Sequence, residues 1–304
     1  NTSNCTAVVT VIDTISPVAV CQNINAYLDG AGNVTIVAAD IDGGSTDNCG
    51  GVTLSASTTS FTCADLGPNN VTLTANDGNG NTATCTSVVT VLDTVSPTAS
   101  CQNITVFLDG AGNASIVAAD IDNGSTDNCT TVTLAASTTV FTCADLGSNA
   151  VILTVTDGSG NTSTCASTVT VADTISPNVS CNSGVQNISD DGTGDCTFTP
   201  FVVGQAGSYD LADNCSDPLT VVEVFTGALN TTSTFSLPPG AGYTPVQAFP
   251  VGVTNVTVTV TDASGNSSSC SYTTTILDDE APNAVCQNIT VFLDGAGNAS
   301  IVAA

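Results

Sequence analysis

The stretch VTLTANDGNGNTATCTSVVTVLDTVSP, residues 71–97, decides the fold of this chain. Its apolar residues Val71, Leu73 and Ala75 alternate with threonines, which is the period of a strand with one buried face. The turn signal DGNGN (77–81) follows, and a β-branched run resumes after it. The final DTVSP contains a proline and interrupts the strand pattern. The stretch therefore predicts two strands joined by a tight turn and followed by a short linker.

This pattern recurs along the chain about every 80 residues. The segment CQNITVFLDGAGNASIVAA occurs twice, at 101–119 and again at 286–304. Self-similarity at a fixed period indicates an array of structural repeats. We therefore divide the chain into a fragment of one repeat, a first, a second and a longer third repeat, and a fragment of a further repeat: 1–16, 17–96, 97–176, 177–281 and 282–304.

Short strands rich in valine and threonine fill each repeat, and helix-favouring runs are missing from the sequence. Six to eight such strands in so few residues favour an all-β fold, a tandem array of antiparallel β-sandwich modules. The linkers DTISP, DTVSP, DTISP and DDEAP follow the last strand of a repeat directly. Short proline-containing linkers restrict the angle between neighbours, so we expect a stiff rod.

The charge of the chain is entirely negative, with 27 acidic residues and no Lys, Arg or His. Such a chain cannot neutralise phosphate, which excludes nucleic acid and anionic membrane surfaces as partners, and we expect no membrane insertion in this segment. Internal salt bridges between side chains are impossible. Each Asp must be solvated, hydrogen-bonded to backbone amides or bound to a cation.

Fourteen cysteines at recurring positions predict disulfides and an extracellular, oxidising location. If the strands of a repeat alternate up and down, the start of the first strand lies beside the end of the second. That topology predicts the pairs Cys21–Cys49, Cys63–Cys85, Cys101–Cys129, Cys143–Cys165, Cys181–Cys215 and Cys196–Cys270. A rival pairing joins Cys21 to Cys85 and Cys49 to Cys63.

Three sets of acidic residues recur from repeat to repeat. The first set is the candidate for calcium because oxygen ligands alternate around a glycine-containing turn, and it comprises Asp40, Asp42, Asp47, Asp120, Asp122 and Asp127. The second set opens the turns at 77–81, 157–161 and 262–266, and the third is the linker Asp at 13, 93, 173 and 278. The alternative for every set is that Asp caps turns by accepting backbone N–H bonds.

The pattern DxxxPxxxC, then DNC, then VTLTxxDxxGNxxTC, then VTVxD resembles the hyalin-repeat (HYR) type of immunoglobulin-like module. The combination of CQNITVFLDGAGNASIVAADIDNGSTDNC with FTCADLG is similar to repeats of giant cell-surface proteins of the Bacteroidetes, among them gliding-motility adhesins exported by type IX secretion. The resemblance implies disulfide-stapled immunoglobulin-like modules at the cell surface. The third repeat departs from it by lacking a counterpart of Cys63 and by carrying an insertion, 230–249.

The linker triplets Asp-Thr-Ile and Asp-Thr-Val resemble the O-glycosylation site of the same bacteria. The resemblance therefore implies glycans on Thr14, Thr94 and Thr174. The alternative is that threonine simply suits an exposed linker.

These features together favour an extracellular structural array, the stalk or fibre of a giant bacterial adhesin or surface filament. Catalysis is not expected, because the chain offers no His base and no cation to stabilise an anion. The partners we expect are neighbouring repeats, other copies of the fibre, and surface glycans. The alternative function is a carbohydrate- or ligand-binding module in the third repeat, where Tyr209 and Tyr243 lie.

Overall fold

The structure is a computed structural model, and it describes residues 2–129, 131–181, 186–189, 197–198, 209–240, 242–243, 247–279 and 285–301. The chain divides into two compact units, Asn1–Asp173 and Thr174–Ala304. Within the described ranges the helices are short 3-10 turns, and none has the length and apolarity of a membrane span.

The first repeat folds as two layers of strands. A four-stranded sheet has the order β1-β6-β5-β3, and the second layer contains the antiparallel pair β2–β4 and the bridges Val18–Thr46 and Cys21–Asp42. The strands are β1 (Ile24–Tyr27), β2 (Asn33–Thr35), β3 (Thr53–Ala56), β4 (Ser60–Thr62), β5 (Gly67–Asn76) and β6 (Thr82–Leu92). Two 3-10 helices, Ala38–Ile41 and Cys63–Asp65, connect them.

The second repeat reproduces these elements one period later. Its four-stranded sheet has the order β7-β12-β11-β9, and β8 pairs with β10. The strands are β7 (Ile104–Phe107), β8 (Asn113–Ser115), β9 (Thr133–Ala136), β10 (Val140–Thr142), β11 (Gly147–Thr156) and β12 (Thr162–Ala172), with 3-10 helices Ala118–Ile121 and Cys143–Asp145. The tandem β-sandwich expected from the sequence is confirmed.

The core of each repeat lies between its two layers. In β5 the side chains of Val71, Leu73 and Ala75 are fully buried, as the alternation in the sequence predicts. Val71 and Leu73 pack in the core of the first repeat with Ile41 and Phe61. Burying such side chains contributes about 1.5–3 kcal/mol each, so a core this small depends on covalent support.

The third repeat, in the second compact unit, has a larger sheet of order β14-β22-β21-β17-β18. Its core contains Val256, Val258 and Val260 together with an edge-to-face pair, Phe225 and Phe249, whose ring centroids lie 5.8 Å apart. The described strands are β13 (Asn178–Cys181), β14 (Gln186–Ser189), β15 (Thr197–Phe198), β16 (Tyr209–Ala212), β17 (Leu219–Gly227), β18 (Thr231–Leu237), β19 (Gly242–Tyr243), β20 (Phe249–Pro250), β21 (Gly252–Thr261) and β22 (Ser267–Leu277).

One feature of the topology differs from the sequence prediction: the first strand of the four-stranded sheet runs parallel to the last. Ile24 of β1 stands opposite Val89 of β6, and β7–β12 and β14–β22 pair in the same way. Counting back three residues from Ile24 and from Val89 reaches Cys21 and Thr86, so Cys21 lies near Cys85, the residue before Thr86. The assumed up-and-down order would have placed Cys21 at the end of the second strand instead.

The disulfides within repeats follow from this parallel pairing. Within repeats the bonds are Cys21–Cys85, Cys101–Cys165 and Cys181–Cys270, and Cys63 bonds to Cys129 of the next repeat. The predicted pairs Cys21–Cys49, Cys63–Cys85, Cys101–Cys129, Cys143–Cys165, Cys181–Cys215 and Cys196–Cys270 are therefore wrong, and Cys196 itself lies outside the described residues. The rival pairing is correct for Cys21–Cys85 and wrong for Cys49–Cys63.

The remaining described cysteines fall into two groups. Cys143 and Cys215 are also disulfide-bonded, and in the sequence they hold the positions that Cys63 and Cys129 hold one repeat earlier. Cys5, Cys49 and Cys286 are exposed free thiols.

Candidate functional site

The junction between the first and second repeats is covalent. Cys63 is the first residue of the 3-10 helix Cys63–Asp65 in the first repeat. It bonds to Cys129 of the second repeat, with 5.1 Å between the Cα atoms. Cys129 lies in the segment Asp-Asn-Cys at 127–129, which we call the DNC loop. Both cysteines pack against the core of the first repeat. The bond therefore fixes the DNC loop of one repeat against the end of the preceding sandwich.

Gly32 lies where the first repeat contacts Asn128 and Cys129 of the second. Its backbone φ is +73°. This left-handed conformation is strained for residues that carry a Cβ, whereas glycine adopts it readily. A Cβ at this position would stand 2.5 Å from Cys63 Sγ and 3.1 Å from the carbonyl oxygen of Asn128. The glycine is thus required both by the turn and by the disulfide packed over it.

Asn128 connects the repeats by hydrogen bonds. Its amide nitrogen donates to the carbonyl of Asp29 at 3.0 Å and reaches Asp93 Oδ1 at 3.5 Å. Beside it, the backbone N–H of Cys129 donates to Asp127 Oδ2 at 3.0 Å. The DNC motif therefore supplies a cysteine for the covalent bond, an amide for the contact across the junction, and a carboxylate.

That carboxylate belongs to an acidic cluster, which we define as Asp93, Asp127 and Asp157. One carboxylate oxygen from each lies within 4.8 Å of the other two. Asp93 comes from the linker, Asp127 from the DNC loop and Asp157 from the turn between β11 and β12, so each of the three recurrent acidic sets contributes one member. Asp93 is only 7% exposed and Asp157 only 5%.

Local hydrogen bonds hold the cluster in place. Asp93 Oδ1 accepts from the N–H of Val95, and the amide of Asn161 donates both to the carbonyl of Asp93 at 3.2 Å and to Asp157 Oδ2 at 2.8 Å. Burial raises the pKa of Asp157, but hydrogen bonds from Asn161, Ser159 and Gly160 outweigh it, and the net pKa lies below the usual value. Asp157 is therefore ionised at neutral pH.

The same arrangement occurs one repeat earlier with Asp13, Asp47 and Asp77. Here the neighbouring cysteine, Cys49, is a free thiol. Its hydrogen bond to Asp13, followed by desolvation and the charges of the three carboxylates, raises the pKa of the Cys49 thiol. The thiol thus responds directly to the charge of this earlier cluster.

The other residues predicted to bind calcium have local roles. The first two members of the set in each repeat make short capping bonds: Asp40 and Asp120 accept from the N–H of Val37 and Val117 at 2.7 Å, and Asp42 and Asp122 accept from the hydroxyl groups of Ser45 and Ser125 at 2.5 Å. The serine bonds lower the pKa of Asp42 and of Asp122. Of the predicted set, only Asp47 and Asp127 join an acidic cluster in the described residues, and calcium binding by the set stays a prediction.

The remaining predicted sites stay predictions. Thr14, Thr94 and Thr174 are all exposed, which is compatible with glycosylation and with a bare linker. In the third repeat, β16 and β19 pair with Tyr209 opposite Tyr243. This register places the two tyrosines directly opposite each other on neighbouring strands of the sheet β13-β16-β19.

The chain aligns with solved structures that contain several domains in series. The chain aligns over 86% of its length with titin domains I67–I69, covering 98% of that chain at 10% identity and a TM-score of 0.34. It aligns to the same extent with mouse cadherin-23 EC22-24, covering 99% of that chain at 13% identity and a TM-score of 0.33. At these scores the similarity carries no functional argument.

Comparisons of sequence identify one module. No curated protein sequence matches the chain. Residues 236–276, within the third repeat, match the HYR domain. This match agrees with the resemblance seen in the repeat motifs, and the third repeat contains an HYR-type segment.

Proposed function

We propose that this chain is a load-bearing segment of an extracellular stalk, the shaft of a bacterial surface adhesin or filament. The observation that carries the proposal is the overlap of three disulfide-closed loops, Cys21–Cys85, Cys63–Cys129 and Cys101–Cys165. Together they enclose every backbone bond from residue 21 to residue 165.

This overlap limits how far the chain can be stretched. A pulling force passes from Cys21 to Cys85 through one disulfide, along the linker to Cys101, and through another disulfide to Cys165. Only about 16 residues lie on this path, which reach roughly 55 Å when extended. Unfolding of either repeat therefore releases almost no extra length.

The overlap also protects the fibre against cleavage. If the linker is cut between Cys85 and Cys101, the Cys63–Cys129 bond still joins the two repeats. A cut elsewhere between Cys21 and Cys165 is bridged by the disulfide of that repeat. Without the bond between repeats, the linker would be the single point at which one break severs the stalk.

Composition supports a stalk exposed to the medium. With 27 acidic residues and no basic ones, neighbouring fibres repel each other and stay soluble. Trypsin-like proteases find no Lys or Arg to cleave. The disulfides require an oxidising compartment, and the repeat motifs resemble those of bacterial cell-surface proteins exported by type IX secretion.

Single-molecule pulling on the oxidised chain tests the proposal. We expect no unfolding step longer than about 55 Å, because the disulfides bracket the folded repeats. The same chain reduced with dithiothreitol is the control, and it should extend by roughly 500 Å between residues 21 and 165. Long steps in the oxidised chain would contradict the load-bearing role.

A further inference from the structure

We propose that the acidic cluster Asp93, Asp127 and Asp157 is a calcium-binding site at the junction between repeats, with a second copy at Asp13, Asp47 and Asp77. This site differs from the one expected from the sequence, because it takes one residue from each of three recurrent sets. It stands on the geometry of the junction and does not depend on the stalk function.

The spacing of the three carboxylates fits one calcium ion. Calcium binds carboxylate oxygens at 2.3–2.6 Å, so two ligands on opposite sides of the ion are about 4.6–5.2 Å apart. The three carboxylate oxygens of the cluster lie within 4.8 Å of one another. They can therefore contact one ion without rearrangement, and water molecules can complete the six to eight ligands that calcium requires.

The buried carboxylate of Asp93 also points to a bound cation. Asp93 is more than nine-tenths buried, and its Oδ1 accepts the N–H of Val95. Its Oδ2 is buried and has no hydrogen-bond partner among the described residues. Burying an ionised oxygen in this way is unfavourable unless a cation or proton is bound to it.

The negative charge of the cluster has no balancing side chain. The groups that face the cluster from the linker, the DNC loop and the β11–β12 turn are carboxylates, amides and backbone N–H groups. The whole chain has no Lys, Arg or His, so no side chain can balance three clustered carboxylates. The balancing cation must therefore come from solution.

The oxygen ligands and the surroundings favour a hard cation such as calcium over thiophilic metals. Carboxylate oxygens select hard cations, and the cysteine beside the cluster, Cys129, is held in a disulfide and offers no thiolate. Asn128 provides a further buried amide oxygen without a described partner. A cleft of about 200 Å³ lined by Gly30, Thr126, Asp127 and Asn128 opens beside the site and gives an ion a route from solvent.

Each cluster joins segments that are far apart in sequence. An ion at the Asp93 cluster would tie the linker to the loop that carries Cys129 and to the last hairpin of the second repeat. We therefore expect calcium to stiffen the junction and to stabilise the fold. Calcium sites of extracellular modules have dissociation constants of about 10⁻⁴–10⁻³ M, which gives a rise in Tm of about 3–10 °C at 10 mM calcium.

The test is calorimetric titration of calcium chloride into the metal-free, oxidised chain, together with melts in EDTA and in 10 mM calcium. The variant is Asp93→Asn, whose amide oxygen can still accept the N–H of Val95. The matched control is Asp109→Asn, which removes one charge from a hairpin turn where Asp109 accepts the N–H groups of Ala111 and Asn113.

We expect Asp93→Asn to bind one calcium fewer than the unmodified chain, and Asp109→Asn to bind the same number. In EDTA, Asp93→Asn should melt at or above the Tm of the unmodified chain, because it relieves repulsion among the carboxylates. A purely structural role for Asp93 would instead lower the Tm in both buffers. A lower Tm of Asp93→Asn in both buffers would overturn the proposal. So would an unchanged calcium stoichiometry in Asp93→Asn, and so would the absence of binding by the unmodified chain at millimolar calcium.

Discussion

Replacing Gly32 by alanine tests the packing of the junction between repeats. The left-handed backbone at Gly32, φ +73°, costs a residue with a Cβ about 1–2 kcal/mol. The new methyl group would overlap Cys63 Sγ at 2.5 Å and the carbonyl of Asn128 at 3.1 Å, and overpacking of this kind costs about 1–3 kcal/mol more. We therefore expect Gly32→Ala to lower the free energy of unfolding by about 2–5 kcal/mol.

The matched control is Gly30→Ala in the same turn. No atom lies within 4 Å of the position that its Cβ would take. This substitution should change the unfolding free energy by less than about 0.5 kcal/mol.

The assay is guanidinium unfolding followed by circular dichroism, with a count of alkylated thiols in the folded chain. Gly32→Ala should shift the first transition to lower denaturant and should leave a fraction of Cys63 and Cys129 reduced. If Gly32→Ala matches Gly30→Ala in both stability and thiol count, the close approach of the disulfide to the turn is refuted.

Two further predictions follow from the perturbed groups. The hydrogen bond that the Cys49 thiol donates to the Asp13 carboxylate is the largest cause of the raised pKa of this thiol. Asp13→Asn should therefore speed alkylation of Cys49 at pH 8, measured by mass spectrometry in EDTA, whereas Asp29→Asn should not. The hydrogen bond that Ser125 donates is the largest cause of the lowered pKa of Asp122. The stability that this bond gives the fold is therefore present above the unfolded pKa of about 3.9 and is lost as pH falls through the lower folded pKa. Ser125→Ala should therefore reduce the Tm at pH 7, and this difference from the unmodified chain should shrink in melts below pH 4; a constant difference would contradict the role of the ionised Asp122.

The strands were predictable because local patterns specify them. The alternation at Val71, Leu73 and Ala75 places three side chains in the core, and they are buried as expected. The all-β class and the repeat period follow from the same local signals.

The disulfides were not predictable in the same way, because they depend on which strands become neighbours. The parallel pairing of Ile24 with Val89 brings Cys21 to Cys85, and no local signal near Cys21 distinguishes this from an antiparallel hairpin. The partner of Cys63 was less predictable still, because it lies in another repeat.

The acidic cluster shows the same limit. Asp93, Asp127 and Asp157 come from three segments, each with its own local explanation as a turn or linker residue. The only sequence signals that could have joined them were their shared period and the absence of any basic residue to balance them.

The disulfide between repeats, Cys63–Cys129, is tested most directly by introducing one new protease cleavage site. The chain has no Lys or Arg, so Thr94→Lys, at an exposed position of the linker, gives trypsin a single site between Cys85 and Cys101. After digestion of the oxidised protein, we predict one full-length band on a non-reducing gel and two fragments on a reducing gel. The control with Cys63→Ser and Cys129→Ser added should give two fragments on both gels. Two fragments from the Thr94→Lys protein on the non-reducing gel would contradict the account.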